Sequence, residues 1–325
     1  MFQQIIKKAP LPVAGVGFGA TGLGGLLAKF GLGWGAEVVA AIVGLAFLSI
    51  VAIKAIAYRT QFAENLENPV QAAVLPVFFL AFTLIAGYLS PFAPGFAYGL
   101  WTVASIGYAI YVAWFVWRYI VHFDLKNVFA AFFIPFVGVS VPSMTSAHFA
   151  PEPLRIALFW IAFVLFIGIF VVITWRYLTI DVPEHAEPVF AVYAAPISML
   201  LVVLSRLVDQ AGVAPWFYTA IAVASQVVFL VVLLRVPRFL KNGFYPSYAA
   251  LTFPFIITAM GALESLPILH SYGFFTHPVF TWIAYAEAVF AVVMTVYVIV
   301  RFFGFLAGMA KPEPTAPDAQ PAQAH

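Results

Sequence analysis

The chain has 325 residues, of which 64% are hydrophobic and 9% are charged. Soluble proteins carry roughly 25% charged residues, so this composition excludes a soluble fold and indicates an integral membrane protein. The lack of cysteine excludes disulfides and thiolate metal sites, and a net charge of +2 is too small to indicate nucleic-acid binding.

Ten apolar stretches are long enough to cross a bilayer as helices, which takes about 20 residues each. In chain order they are 10–28, 35–57, 71–89, 96–118, 128–147, 154–177, 189–207, 214–235, 247–266 and 280–303. We therefore expect an all-α membrane domain over residues 10–306. A cytoplasmic segment (1–9) precedes it, and a disordered cytoplasmic tail (307–325), rich in proline and alanine, follows it.

The lysines and arginines are distributed unequally between the two sides that ten spans define. Twelve fall on one side, and only Lys29, Arg155 and Arg206 fall on the other. Because basic residues concentrate on the cytoplasmic side, both termini are predicted to be cytoplasmic, in an inner (plasma) membrane. Arg206 and Glu264 lie at the ends of two odd-numbered spans on the opposite side. They form an interfacial pair, belong to a vestibule, or act as separate anchors in the interface.

Prolines recur at intervals of 58 to 64 residues, always in odd-numbered spans. They are Pro12, Pro76, Pro135, Pro196 and Pro254. A proline inside a helix removes a hydrogen bond and kinks the helix, so we predict a kink at each. A pattern of Asn or Pro, any residue, Phe or Tyr, Ala, four residues and Pro ends at three of them. The period predicts five copies of a two-helix hairpin.

Five hairpins in one orientation predict an inner ring made of spans 1, 3, 5, 7 and 9 around a pore, enclosed by an outer ring of even spans. Broken backbone is tolerated in a membrane where it is packed in protein or lines water, and small and hydroxyl residues gather in the odd spans. The repeat register gives these candidates for the pore lining: Gly15, Phe79, Gly138, Ser140, Ala195, Ser198, Pro254 and Thr258. Close helix packing explains single small residues equally well.

Between their interfacial ends the odd spans contain no charged residue and no histidine. Proton relays and cation filters usually need such groups, so a weakly held solute such as an anion fits better. Basic residues at the cytoplasmic mouth could attract anions, although the positive-inside bias explains the same residues. Glu287, in the tenth span, is expected to be hydrogen-bonded between helices.

Phe253 directly precedes Pro254, and the equivalent positions in the other repeats are Leu11, Leu75, Ile134 and Ala195. An apolar constriction closes a pore by excluding water, so Phe253 is a candidate gate. In a chain with 35 phenylalanines, packing or lipid contact is the alternative.

Three short motifs follow one another in a characteristic order: Pro12-Val-Ala-Gly-Val-Gly-Phe-Gly, Ala195-Pro196-Ile-Ser and Thr252-Phe253-Pro254. Together with the five hairpins they resemble the TehA/slow-anion-channel family over residues 8–306. The resemblance implies a homotrimer with one pore in each protomer, occluded by a Phe of the ninth helix, which here is Phe253. It implies conduction of chloride and nitrate.

Other members of that family are described as exporters. The alternative function is therefore a secondary exporter of sulfite, a dicarboxylate or a tellurium oxyanion, with Glu264 or Glu287 as proton carrier. The sequence contains no esterase, zinc-protease or phosphate-loop motif, so no enzyme activity is expected. No metal or other cofactor is expected either. The six histidines divide between the two sides, with His122, His185 and His325 on one and His148, His270 and His277 on the other. The expected partners are small inorganic anions and membrane lipid.

Overall fold

The computed structural model describes residues 2–147, 149–241 and 243–309, and within these residues the chain forms helices and no strand. The helices are α1 (Phe2–Lys8), α2 (Val13–Leu27), α3 (Gly33–Ala57), α4 (Arg59–Glu67), α5 (Pro69–Val74), α6 (Val77–Leu89), α7 (Pro94–Phe115), α8 (Phe133–Val137), α9 (Ser140–Thr145), α10 (Glu152–Thr179), α11 (Ala194–Ser205), α12 (Pro215–Leu233), α13 (Val236–Lys241), α14 (Phe253–Ser271) and α15 (Val279–Met309). Tighter 3₁₀ turns cover Leu125–Asn127, Ala130–Phe132, Glu184–Tyr193 and Pro246–Leu251.

Within the described residues, eight helical runs are long and apolar enough to cross a membrane. The first, Val13–Ala57, covers two predicted spans. Its two helices, α2 and α3, are separated at Phe30 and Gly31, whose backbone angles are not helical. The fifth predicted span is not among the eight, since it is divided into the short helices α8 and α9. The expected all-α membrane fold is confirmed, and every predicted span contains helix.

Burial divides the predicted spans into two classes. We call α2, α5–α6, α8–α9, α11 and α14, with the 3₁₀ turns that precede α8, α11 and α14, the odd segments. We call α3, α7, α10, α12 and α15 the even segments. In the run Glu184–Ser205, 94% of the most apolar window is buried, against 22% in Glu152–Thr179. The even segments instead expose large apolar side chains, such as Val164. The odd segments are therefore the core of the molecule.

The odd segments contact one another in sequence. Helix α2 packs on α6, α6 on α9, α9 on α11, and α11 on α14, and α14 packs back on α2. The first four contacts join each repeat to the next one along the chain, and the fifth joins the last repeat to the first. The five contacts therefore close a cycle.

The repeated prolines lie where one helical segment ends and the next α-helix begins, and a kink at each of them stays a prediction. Pro12 and Pro76 immediately precede α2 and α6, Pro254 is the second residue of α14, and Pro135 and Pro196 are the third residues of α8 and α11. A proline suits the first turn of a helix, whose N–H groups have no partner within it. At Pro76 the missing N–H also leaves Ala72 O to accept from the Tyr111 hydroxyl at 2.9 Å.

The ends of the chain differ in detail from the predicted boundaries. Helix α1 occupies most of the predicted segment 1–9 and buries Ile6. Helix α15 continues to Met309, so the predicted tail begins three residues too early at 307. The rest of that tail (310–325, with His325) lies outside the described residues, as do Met1 and His148.

Candidate functional site

Three cavities follow one another along the odd segments. A basic-side cavity of about 200 Å³ lies at their N-terminal ends, next to a central cavity of about 60 Å³. A vestibule of about 340 Å³ lies at their C-terminal ends. The first two share lining residues, among them Pro12 and Val189.

All five odd segments contribute to the central cavity. Its wall includes Gly15 of α2, Leu80 of α6, Gly138 after α8, Ala195 of α11 and Phe253 of α14. Apart from Ser247, its described lining residues are apolar or glycine. An ion in this cavity would have weak partners only, which is what conduction requires of a binding position.

Phe253 separates the central cavity from the vestibule, since it lines both. Its side chain is buried, with 6% of the residue exposed. The ring stacks on Phe18 of α2, with centroids 3.9 Å apart and planes inclined by 30°. The ring also lies against Gly22 of α2, where an added Cβ would be 3.0 Å from Phe253 Cδ2. The ring thus occupies a slot on α2 formed by Phe18 and Gly22.

The backbone around Thr252 positions the Phe253 ring. Thr252 (φ −107°, ψ −91°) lies between the 3₁₀ turn and α14, and its hydroxyl donates to Ala249 O at 2.7 Å. Helix α2 can approach this point because Gly19 has no side chain, and a Cβ there would collide with the Thr252 side chain. The glycines of α2 therefore bring the two backbones together at the Phe253 slot.

Four of the eight residues predicted to line a pore do line the central cavity, namely Gly15, Gly138, Ala195 and Pro254. Of the positions equivalent to Phe253, Ile134 and Ala195 also line it. Leu11 and Leu75 are buried in the core and are not part of its wall.

The other four predicted residues face neighbouring helices. Phe79 faces α7, where a Cβ on Gly107 would lie 2.7 Å from its ring. Ser198 Oγ lies 2.8 Å from Ser225 Oγ of α12 and 3.0 Å from Thr258 Oγ1 of α14. Ser140 donates to Val137 O at 2.7 Å. These hydroxyls satisfy one another or the backbone inside the protein, so they serve packing.

Sequence reasoning missed Phe18, the stacking partner of Phe253. Phe18 precedes Gly22 by four residues, so both lie on one face of α2. That spacing is visible in the sequence, but it identifies a slot only once Phe253 is known to face it.

Charged groups gather at the vestibule. Arg206 donates to both carboxylate oxygens of Glu264, at 2.9 and 2.7 Å, and Lys29 Nζ lies 2.8 Å from the same carboxylate. Arg206 also donates to Met144 O at 3.1 Å. The vestibule is lined by Arg206 and Lys29, together with Glu37. The pairing of Arg206 with Glu264 is one of the arrangements that the sequence left open.

Tyr88 of α6 joins α2 near the vestibule. Its hydroxyl accepts from Gly25 N at 3.0 Å and donates to Thr21 O at 2.8 Å. These two groups are four residues apart, the spacing that an α-helix normally joins directly. The Tyr88 hydroxyl therefore takes part in the hydrogen bonding of α2 at the turn that follows Gly22.

Glu287 lies apart from these cavities. It is 7% exposed and lines a separate cavity of about 430 Å³ between α12, α14 and α15. Gln226 Nε2 approaches its carboxylate to 3.5 Å. In the part of the chain that the structure describes, no three His, Asp or Glu side chains form a group that could hold a metal ion.

Comparison with protein families relates this geometry to known proteins. The family model described as voltage-dependent anion channel (SLAC1) matches residues 12–303, which include all ten predicted spans except the first two residues of the first span. The curated proteins contain no match to the chain. The family match includes the residues that line the three cavities, apart from Pro10, and the Phe253 slot between two of the cavities. The chain therefore belongs to the voltage-dependent anion channel family, whose members are helical membrane channels or transporters of anions and not enzymes.

Proposed function

We propose that the chain is a channel for small monovalent anions such as chloride and nitrate, with a pore through each protomer and Phe253 as its gate. The pore runs from the basic-side cavity through the central cavity to the vestibule. The observation that carries this proposal is the position of Phe253, whose ring lines both the central cavity and the vestibule.

The cycle of contacts among the odd segments supports an inner ring around this path, with the even segments as the outer ring. The described lining of the central cavity includes no charged residue, so no group there would hold a passing ion tightly. With the ring of Phe253 in its slot the path is closed, because water and ions are excluded from so narrow an apolar passage. Movement of the ring off Phe18 would open it.

The arrangement in the membrane follows from charge and from the family resemblance. Both termini are cytoplasmic, so the basic-side cavity opens to the cytoplasm of an inner (plasma) membrane. The resemblance implies a homotrimer in contact with lipid through the exposed apolar residues of the even segments.

The test is the anion current of Phe253→Ala in planar bilayers, first in chloride and then in nitrate. Removal of the ring should raise the current about tenfold or more over the unchanged protein. The matched control is Phe255→Ala, since Phe255 is equally buried but packs on Phe290 (centroids 5.0 Å apart) away from the path. An equal rise in both variants, or no current in either, would refute the gate.

A secondary exporter of sulfite, a dicarboxylate or a tellurium oxyanion remains the second function to test. It needs a proton carrier on the path, but Glu287 lines a different cavity and Glu264 is held by two cations. Flux that requires a proton gradient in the unchanged protein, with no current in Phe253→Ala, would favour the exporter.

A further inference from the structure

Two buried cations of the even segments have no carboxylate partner. Lys54 of α3 and Arg176 of α10 are each 2% exposed. No ion pair joins either of them to any described residue, whereas Arg206 and Lys29 at the vestibule share Glu264. Unpaired buried charge is unfavourable, so its presence in a membrane protein calls for a functional reason.

Lys54 lies behind one part of the wall of the basic-side cavity. Its ammonium group donates to Ala9 O and to Asn65 Oδ1, both at 2.5 Å. Ala9 is followed by Pro10, which lines the cavity. Both contacts are neutral acceptors, so neither hydrogen-bond partner of the ammonium group carries a counter-charge. Glu64 of α4 acts on Lys54 only from beyond ion-pair distance.

Arg176 lies behind another part of the same wall. Its guanidinium carbon is 4.4 Å from the centroid of the Phe129 ring, and Phe129 lines the cavity. The guanidinium donates to Ile180 O at 3.2 Å, and its Nε has no partner among the described residues. One aromatic ring therefore separates a permanent positive charge from the cavity.

The wall itself provides no such charge. Among its described lining residues there is no Lys, Arg, Asp or Glu, and His185 is the titratable group. The fields of Lys54 and Arg176 pass through protein rather than water, so solvent and salt screen them less than the fields of exposed charges. Their positive charges therefore attract an anion in the cavity without direct contact.

We infer that Lys54 and Arg176 set the anion selectivity of the basic-side mouth from behind its wall. The inference rests on the proposed function. Because neither cation contacts the ion, they concentrate anions at the mouth without creating a strong binding site that would hold the ion. They also make the path electrically asymmetric, since the cations at the vestibule are paired with Glu264.

The test uses Phe253→Ala as the parent channel, with Lys54→Met, Arg176→Gln and the double change added. The reversal potential in a potassium chloride gradient gives the chloride-over-potassium permeability ratio. We expect each neutral variant to lower that ratio about three- to tenfold. Chloride current that enters from the basic side should fall more than current from the vestibule side. The charge-conserving Lys54→Arg and Arg176→Lys should retain most of the ratio.

The matched control is Arg235→Gln. Arg235 is an exposed arginine that also lies over an aromatic ring, 3.9 Å from the centroid of Phe190, but Phe190 is not in the wall of the basic-side cavity. The Arg235→Gln change should leave the chloride-over-potassium permeability ratio unchanged. An unchanged ratio in a folded double variant would overturn the inference alone, whereas a parent without anion current would overturn the proposed function as well.

A second measurement covers the case in which the neutral variants do not fold. Exposed charges are screened by salt, with a Debye length of about 3 Å at 1 M, and buried charges are screened much less. The permeability ratio of the parent should therefore persist when the salt is raised from about 0.1 M to about 1 M. A ratio that approaches one at high salt would assign the selectivity to exposed lysines and arginines and overturn the inference.

Discussion

The ring of Phe253 lies against the ring of Phe18, with centroids 3.9 Å apart. Phe253 begins α14 and Phe18 is in the first turns of α2, so this contact joins the last odd segment to the first. The contact lies between the central cavity and the vestibule, so the Phe253 ring lies across the proposed path.

The first prediction concerns the stacking partner. Aromatic pairs contribute about 0.5–1.5 kcal/mol beyond the burial of their area, so Phe18→Ala should weaken closure and raise the resting anion current several-fold. The double variant with Phe253→Ala should conduct no more than Phe253→Ala alone, because both changes remove the same contact. Bilayer recordings of the three variants measure this, and additive effects would show that Phe18 acts elsewhere.

The second prediction uses two glycines of α2 that are three residues apart. A Cβ on Gly22 would press on the edge of the Phe253 ring at 3.0 Å, whereas a Cβ on Gly19 would collide with Thr252 next to its backbone. The ring can swing aside and Thr252 cannot. Gly22→Ala should therefore raise the resting current with little change in the melting temperature. Gly19→Ala should destabilise the protein by about 1–3 kcal/mol.

Thermal unfolding in detergent together with bilayer recordings separates these two effects. Loss of stability in Gly22→Ala without any rise in current would contradict the slot.

The third prediction concerns the hydroxyl of Tyr88. Tyr88→Phe removes the bonds to Gly25 N and Thr21 O, and these two groups then bond each other in the ordinary α-helical manner. The loss of stability should be small, within about 1 kcal/mol, because no buried polar group stays unsatisfied. The turn that carries Gly22 should relax, so the open probability of the gate should change. Single-channel recording measures it, and an identical open probability would limit Tyr88 to lining the vestibule.

Much of the fold was predictable from the sequence, and the site was predictable in part. Length and apolar composition predicted ten stretches that all contain helix, and the proline period predicted which segments belong to the core. The sequence does not distinguish a proline at the start of a helix from one inside it, so the prolines did not predict where each α-helix begins. Here the α-helices begin at Pro12, Pro76 and their equivalents.

Which residues line the cavity depends on how each helix is rotated about its own axis. A repeat register predicts that rotation only roughly. Gly15 and Gly138 line the central cavity, whereas Phe79 points toward α7. Lys54 and Arg176 were overlooked for a different reason. They lie on even segments, and only the three-dimensional contacts to Ala9 and Phe129 place them behind the mouth.

The fourth prediction tests a residue that the register placed on the pore and the structure places between helices. Ser198 is fully buried, and its hydroxyl bonds to Ser225 and Thr258. Ser198→Ala should lower stability by about 1 kcal/mol, since it leaves two hydroxyls with one partner fewer. Conductance and selectivity should stay as in the parent. A changed permeability ratio in Ser198→Ala would return this residue to the ion path.

The fifth prediction separates a channel from an exporter through two carboxylates, Glu264 and Glu287. Glu264 holds Arg206 and Lys29 at the vestibule, so Glu264→Gln should destabilise the protein by about 1–3 kcal/mol. It also leaves two cations without a counter-charge there, which should raise anion current from the vestibule side. Glu287→Gln should change neither current nor ion selectivity, because Glu287 lines another cavity.

Both variants are measured in the Phe253→Ala background, with and without a proton gradient. In a channel the current persists in both, with its size independent of the gradient. An exporter whose proton carrier is one of these carboxylates would lose its gradient-driven flux in one variant and keep it in the other. Since Glu287 lines a separate cavity and Glu264 pairs with Arg206 and Lys29 of the vestibule wall, that loss would also identify which of the two regions the proton uses.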